Sequence, residues 1–402
     1  MKYSILAELY EQLSSTSKRL EKTKILSNFL ITINEKDKDV LYLLLGNIYP
    51  EHDERKMGIS EQLVIKAISK ASGIPSDKVV NEWRKIGDLG KVAEKLIENK
   101  KQSTLSSHIL TTEKVLDNLR KLPELEGAGT VDKKMGLITE LLTSASPIDA
   151  KYLCRTLLGD LRVGIQQSTI REAMAEAFFN DKESAGKIQK ALDKSNDLGH
   201  IFEIAKKGKI EHLEKVSLEV GQPVKVMLAQ KAKDIPEGFA AVGKPCAIEY
   251  KYDGFRLILH KKDNKITLYT RRLENVTKQF PEAVEYVKDY IKGDSFILDS
   301  EAIGFDKKTK IYLPFQSISQ RIRRKYDIKE IMEKFPVELN VFDILYYNGK
   351  SLLDEPFEKR SELLKKIIKN TPYKIVPAKQ IITDSDEKAI KFYKQALKDN
   401  QE

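Results

Sequence analysis

Apolar residues recur at intervals of three and four through the first 220 positions. The runs Leu41-Tyr-Leu-Leu-Leu-Gly-Asn-Ile48 and Val64-Ile-Lys-Ala-Ile-Ser-Lys-Ala71 carry this spacing, which places one face of a helix against a core. Breaks fall at Tyr49-Pro50, Gly73-Ile-Pro75 and Ser146-Pro147, residues that punctuate helices. No stretch alternates as a strand does. Beyond Gly221-Gln-Pro223 the period shortens to two, and Lys261-Lys-Asp-Asn-Lys265 reads as a hairpin turn between two apolar strands. The pattern therefore predicts an all-helical domain over 1–220 and a mixed strand-and-helix domain over 221–402. Within the second, helices return at Phe280–Ile291 and Pro356–Ile368. A last one starts near Asp384 or Ser385, each a good N-cap. There is no internal repeat and no low-complexity tract.

The length of 402 residues, 41% of them hydrophobic, suits two or three ordinary globular domains. No apolar run is long enough to span a bilayer, and Glu8 and Glu11 interrupt any signal-peptide layout at the N-terminus. Cys154 and Cys246 lie far apart, and neither has a partner at metal-ligand spacing. Five scattered histidines form no zinc motif. These features fit a reducing cytosol. The net charge of +10 suits a polyanionic partner. Its distribution is uneven: residues 1–220 hold 35 Lys+Arg against 33 Asp+Glu, and the remainder 35 against 27. If the helical half grips a nucleic acid, a local face must do it and not bulk charge.

The densest chemistry is Glu249-Tyr-Lys-Tyr-Asp-Gly-Phe-Arg256. A lysine nucleophile must be neutral to attack, which requires desolvation or nearby cations. Ile248, Tyr250 and Tyr252 would wall Lys251. In a regular strand Glu249, Lys251 and Asp253 share one face. Gly254 allows a close backbone approach or a positive φ. Arg256 has the opposite parity and joins that face only if Gly254 marks a turn or bulge. The exposed polar face of an edge strand fits the same spacing, and spacing alone does not choose.

This run resembles the Lys-x-Asp-Gly signature of the nucleotidyltransferases that include ATP-dependent DNA ligases, RNA ligases and capping enzymes. Three later segments resemble that family's next motifs in order. Ile266-Thr-Leu-Tyr-Thr-Arg-Arg272 ends in arginines, with Arg271 at the matching position. Phe296-Ile-Leu-Asp-Ser-Glu-Ala-Ile303 carries Glu301 at what reads as a strand end. Val341-Phe-Asp-Ile-Leu-Tyr-Tyr-Asn-Gly349 carries Phe342. Each segment alone would read as ordinary core or surface. The resemblance implies Lys251 as the nucleophile that becomes lysyl-AMP, with Glu249 reading the adenine edge and Phe342 stacking on the base. It gives Arg256 and Arg271 to ribose and phosphates, Asp253 to orienting the lysine or nucleotide, and Glu301 to the ribose or Mg²⁺.

Gly87-Asp-Leu-Gly-Lys-Val-Ala-Glu94 and Ala150-Lys-Tyr-Leu-Cys-Arg-Thr-Leu-Leu-Gly-Asp-Leu-Arg-Val-Gly-Ile165 resemble turns of the DNA-binding domain in archaeal and eukaryotic replicative ligases. Gly199, after Asp197-Leu198, is a candidate third. Such a turn feeding a helix would offer free N–H groups and a positive dipole end to phosphates, through Gly87, Gly90, Arg162 and Gly164. Capping glycines are the alternative. Lys101–Ile109 stands where related archaeal ligases carry a sliding-clamp peptide. Gln102 and Leu105 fit it, but His108 and Ile109 replace the usual aromatics, so a polar surface loop is the simpler reading. The basic run Gln320–Asp327 would line the DNA side or form a solvated helix face.

The resemblance thus implies a multidomain chain: an all-α N-terminal DNA-binding domain, then an α+β nucleotidyltransferase (adenylation) domain of ATP-grasp-like antiparallel sheets, incomplete at its C-terminus. The family's later motifs and OB-fold domain would follow Glu402, itself a candidate metal ligand. Their absence would leave an apolar sheet edge uncovered and make the chain label poorly with ATP. The implied activity is ATP- and Mg²⁺-dependent sealing of nicked duplex DNA in replication, repair and recombination, by a cytoplasmic, nucleoid-associated monomer. An RNA-end-joining or capping enzyme, or a non-catalytic DNA-binding fragment, are the alternatives.

Overall fold

The computed structural model describes residues 1–402 apart from 54, 99–108, 128, 228, 323, 325 and 402. The clamp-like segment over 101–108 and the metal candidate Glu402 lie outside the described residues. The chain forms two compact units, Met1–Val216 and Ser217–Glu402.

The first unit is built of helices, and its ends follow the capping residues. Ser60, Thr111 and Ser146 accept hydrogen bonds from the first turns of their helices, and Ser146 forms a reciprocal capping box with Asp149. One large apolar cluster runs through the unit, from Tyr3, Leu6 and Tyr10 to Ile201, Phe202 and Leu213. The helix expected over 41–48 is cut to Val40–Leu43, because Gly46 turns the chain at φ +75°.

The helix Leu89–Glu98 lies against Pro147–Leu158. Gly90 sits at their contact. A Cβ there would come 2.7 Å from the Lys151 carbonyl oxygen and 2.8 Å from Arg155 Cγ. Only hydrogen fits between the two backbones.

The second unit departs first from expectation at its start. Among the described residues of 217–245 there is no strand; the helix Ile235–Val242 forms there instead, capped by Asp234 with Pro236 in its first turn. Among the described residues nine strands follow: β1 (Cys246–Glu249), β2 (Phe255–Lys262), β3 (Lys265–Thr270), β4 (Ser295–Phe305), β5 (Tyr312–Leu313), β6 (Val337–Tyr347), β7 (Lys350–Ser351), β8 (Ile375–Pro377) and β9 (Gln380–Thr383). One sheet has the order β3-β2-β4-β6-β7, with β5 on β4 and β8 on β6; all its pairings are antiparallel except β6–β8. A second, two-stranded sheet pairs β1 with β9. The β2–β3 hairpin closes through Asp263 at φ +53° and Asn264, as the sequence pattern indicates.

One face of the large sheet is apolar. Leu257, Leu259, Leu298, Ala302, Leu339 and Val341 pack with Ala283 and Val287 of helix Pro281–Tyr290 and Leu364 and Ile367 of helix Phe357–Ile367. The opposite face is divided. Ile258 and Ile297 pack there with Leu218, Val224 and Tyr269, while Arg256, Asp299 and Glu301 alternate with the core residues in register Arg256↔Glu301. The basic run is not the solvated or DNA-lining face expected of it at its first arginine. Arg321 is fully buried, donates to Glu282 (2.6 Å) and to the Phe335 carbonyl (2.7 Å), and lies over the Phe280 ring. A buried guanidinium needs that many acceptors. The last helix, Asp386–Lys398, starts at Ser385 as its N-cap.

Candidate active site

The segment Tyr250–Gly254 is not a strand. β1 ends at Glu249 and β2 begins at Phe255, so the parity argument that put Glu249, Lys251 and Asp253 on one face fails. What holds this connection is a set of specific contacts. Tyr250 is buried; its hydroxyl donates to Asp399 (3.0 Å) and its ring lies 4.9 Å from that of Phe392. The Tyr252 hydroxyl accepts the backbone N–H of Lys379 (2.9 Å). The tyrosines are thus anchors for the loop and do not wall off Lys251, which is exposed between them.

Gly254 works by close approach, not by positive φ. A Cβ there would lie 2.3 Å from the Ala302 carbonyl oxygen and 3.0 Å from Glu301 Cγ. The loop therefore crosses β4 in backbone contact, which carries Lys251 and Asp253 to the level of Glu301. Asp253 itself takes the Phe315 N–H (3.4 Å) on Oδ2, and its own N–H goes to Gln401 Oε1 (3.2 Å).

Arg256 needs no bulge to reach the site, since the break in the strand has already reset its parity. Its Nε donates to Asp299 Oδ1 (2.8 Å), its Nη2 to Asp299 Oδ2, and its guanidinium carbon sits 5.3 Å from the centre of the Phe342 ring. Phe342 reaches this face through a bulge in β6: Ser300 pairs with Val341 and Asp299 with Asp343, so Phe342 has no partner on β4. Asp343 is gripped in turn by Arg360, at 2.8 and 3.1 Å. Asp299, Asp343 and Arg360 were not singled out from the sequence. Asp299 and Asp343 did leave a signal, as acids flanked by apolar residues inside strands.

Glu301 lies mid-strand, not at the strand end expected of it. Burial pushes its carboxyl up to about 7; the charges of Arg256 and Lys251 oppose that, and those of Asp299 and Asp253 reinforce it. Among the described residues it accepts no hydrogen bond. Burial likewise pushes Glu249 up to about 7, against the hydrogen bond it accepts from Gln380 (2.9 Å) and the charge of Lys365; Asp343 adds to the rise. Burial also raises Asp299, while its Arg256 bonds pull it down. Two half-buried acids near neutrality, one of them without a donor, make a site primed for donors and cations. Arg271 lies exposed in the turn beyond β3, which leaves the sheet at the level of Arg256, since Thr270 pairs with Leu257.

Among the described residues no cluster of three or more acids, histidines or cysteines could cage a metal. Mg²⁺ does not require one, because it is commonly held by one or two carboxylates with substrate phosphates completing the shell. The unpartnered Glu301 carboxyl fits that use.

In the first unit the turns at 87–90 and 160–164 are bridged by buried Arg155 of the helix Pro147–Leu158, whose Nη2 donates to Asp88 Oδ2 (2.6 Å) and whose Nη1 donates to the Leu161 carbonyl (3.2 Å). Burial works to raise Asp88, but the Arg155 bond and charge, with the Gly90 and Lys91 N–H groups, hold it below the usual carboxylate range. This corrects the role expected of Gly90. Its N–H is already taken by Asp88 (2.9 Å), Asp88 caps the helix with a negative charge, and the glycine is buried for packing. Gly87 is an exposed left-handed C-cap whose N–H goes to the Trp83 carbonyl. Gly164, at φ +62°, leaves room for Lys22 Nζ, which donates to the Val163 and Gly164 carbonyls. Arg162, also at positive φ, is exposed and pairs with Asp160 (2.7 Å). Gly199 packs against the Tyr42 hydroxyl, which itself donates to Asp197.

Comparison with known proteins meets this geometry. Residues 226–402 match the ATP dependent DNA ligase domain and residues 2–175 the DNA ligase N terminus. The DNA ligase of Nanoarchaeum equitans is 42% identical over 397 residues, covering 99% of this chain and 70% of its own. That of Thermococcus fumicolans is 39% identical over 400 residues, with the same coverage. A solved structure titled Pmar-Lig_Pre. shares the fold, with a TM-score of 0.53 at 17% identity over 98% of this chain and 70% of its own. The chain belongs to the ATP-dependent DNA ligases. It is an enzyme that uses ATP to seal nicks in DNA. The match of the helical half to ligases decides against the RNA-joining and capping alternatives. Among the described residues no helix is long and apolar enough to cross a membrane.

Proposed function

We propose that Lys251 is the amine that takes the adenylyl group. The observation that supports this most is the convergence of its loop with Glu301, the Arg256–Asp299 pair and Phe342 on one face of the large sheet, while Glu249 ends β1 of the small sheet within charge range of Asp343. The deprotonated amine attacks the α-phosphorus of ATP; an N–P bond forms and pyrophosphate leaves with the broken P–O pair. A 5′-phosphate oxygen of the nick then displaces lysine, forming a pyrophosphate link to AMP. The 3′-hydroxyl attacks that phosphate, AMP departs, and the strand is closed.

Phe342 offers a face to the base, Glu249 an acceptor to its amino edge, and Arg256 and Arg271 positive charge to ribose and phosphates. Asp253, held on the same loop, keeps Lys251 and the nucleotide in register. Mg²⁺ at Glu301 would neutralise charge on the departing phosphates. In the first unit Gly87, Arg162 and Gly164 present exposed turns to the duplex backbone, which positions without reading sequence. The chain would act as a monomer in the cytoplasm, in replication, repair and recombination.

Incubation with α-labelled ATP and Mg²⁺, followed by peptide mapping, tests the nucleophile. Whatever label the chain takes, however low its yield, should map to Lys251, disappear in Lys251→Ala, and be released as AMP on adding nicked duplex. Label retained by Lys251→Ala would refute the assignment.

A further inference from the structure

Gln380, the first residue of β9, faces Glu249 across the small sheet. Its side-chain amide is held at both ends. Nε2 donates to Glu249 Oε1 (2.9 Å), while Oε1 accepts from Ser361 Oγ (3.1 Å) and Lys365 Nζ (3.0 Å). Ser361 and Lys365 stand about one turn apart on helix Phe357–Ile367. Lysine can only donate, so the amide oxygen must point to the helix and the amide nitrogen to Glu249. A flipped amide would set oxygen against carboxylate and NH₂ against ammonium. One Glu249 oxygen is therefore committed to Gln380.

The same helix supplies Arg360, which grips Asp343 directly after the bulged Phe342. One helix thus fastens the surroundings of both groups assigned above to the base.

We propose that Gln380 is a positioning residue that sets base specificity: by occupying Oε1 of Glu249 it leaves the other oxygen to accept from an exocyclic amino group, favouring a 6-amino over a 6-oxo purine. A 6-oxo purine would bring its own oxygen against that carboxylate oxygen, an unpaired acceptor pair in a half-buried site. The inference rests on Glu249 and Phe342 contacting the base as proposed above.

Its test is the ratio of ATP to ITP affinities, measured at about pH 8.5, where Glu249 is ionised, by titration calorimetry on the 402-residue chain. Gln380→Met keeps the length and removes the donor. The ratio should fall about tenfold, mainly through weaker ATP binding, the scale of one charge-assisted hydrogen bond. A variant whose two affinities drop together, with the ratio unchanged, would show Gln380 to be merely structural and overturn the proposal. If Gln380→Met fails to fold, the double change Ser361→Ala with Lys365→Met frees the amide from the far side and should shrink the same ratio; an unchanged ratio there also overturns it. Glu249→Ala separates the two levels. If that change leaves the ratio intact, the base contact itself is wrong. If it abolishes the ratio while Gln380→Met does not, only the role of Gln380 is lost.

Discussion

Gly254→Ala probes how tightly the Lys251 loop is set. The added Cβ would meet the Ala302 carbonyl oxygen at 2.3 Å, with the Ala302 carbon and Glu301 Cγ at 3.0 Å. Carbon and oxygen ordinarily approach to about 3.3 Å, so something must yield by about 1 Å. β4 cannot move easily, because it is paired along its length with β2 on one side and β6 on the other. The loop must move instead, and Lys251 with it. Overpacking of this kind costs about 1–3 kcal/mol, and the lower backbone entropy of unfolded alanine returns about 0.4–1 of that. The net loss is small, a fall of about 2–8 °C in Tm. The kinetic effect is larger: a 1 Å misplacement of a reacting group can cost about 100-fold. Single-turnover adenylation, on the proposed assignment at Lys251, and thermal denaturation measure the two separately. Wild-type labelling by a Gly254→Ala protein would refute the close-approach reasoning.

Three further outcomes follow from the ionised and buried groups. Arg155→Met leaves Asp88 buried without its main partner, with Arg162 3.6 Å away as partial relief. The first unit should lose about 3–5 kcal/mol, read as a lower denaturation midpoint, and a change under about 1 kcal/mol would sink the claim. Burial pushes the Glu249 carboxyl up from its ordinary 4.5 to about 7, so the fold favours its protonated form. That destabilises the folded protein at pH 8, and the effect disappears as pH falls through 7 towards 4.5. The second unit should therefore gain about 1–2 kcal/mol from this group between pH 8 and 5, after allowance for solvent screening, and Glu249→Gln should remove the gain. ATP affinity should run the other way, weakening below pH 7 as the acceptor is lost. A pH-independent affinity in the wild type would contradict Glu249 as the acceptor.

The sequence by itself determined much of this protein. The change from a period of three or four to a period of two separates the helical unit from the sheet unit, the Asp263-Asn264 turn closes its hairpin, and Ser385 starts the last helix, because periodicity and caps report local backbone geometry. The Lys251, Glu301 and Phe342 segments were legible as types in order. What only the tertiary structure decided is how those segments meet. The strand break at Tyr250–Gly254, the bulge that turns Phe342 to the site, the Asp299–Arg256 and Asp343–Arg360 pairs, and the Gln380 bridge to Glu249 join residues up to 131 positions apart. Gly90 and Arg321 read as surface chemistry and are buried, one by the approach of a neighbouring helix and the other by an acid 39 residues away. Such pairings depend on strand register and on how closely two backbones can approach. Those quantities belong to the folded sheet and the packed helices, and no local pattern encodes them.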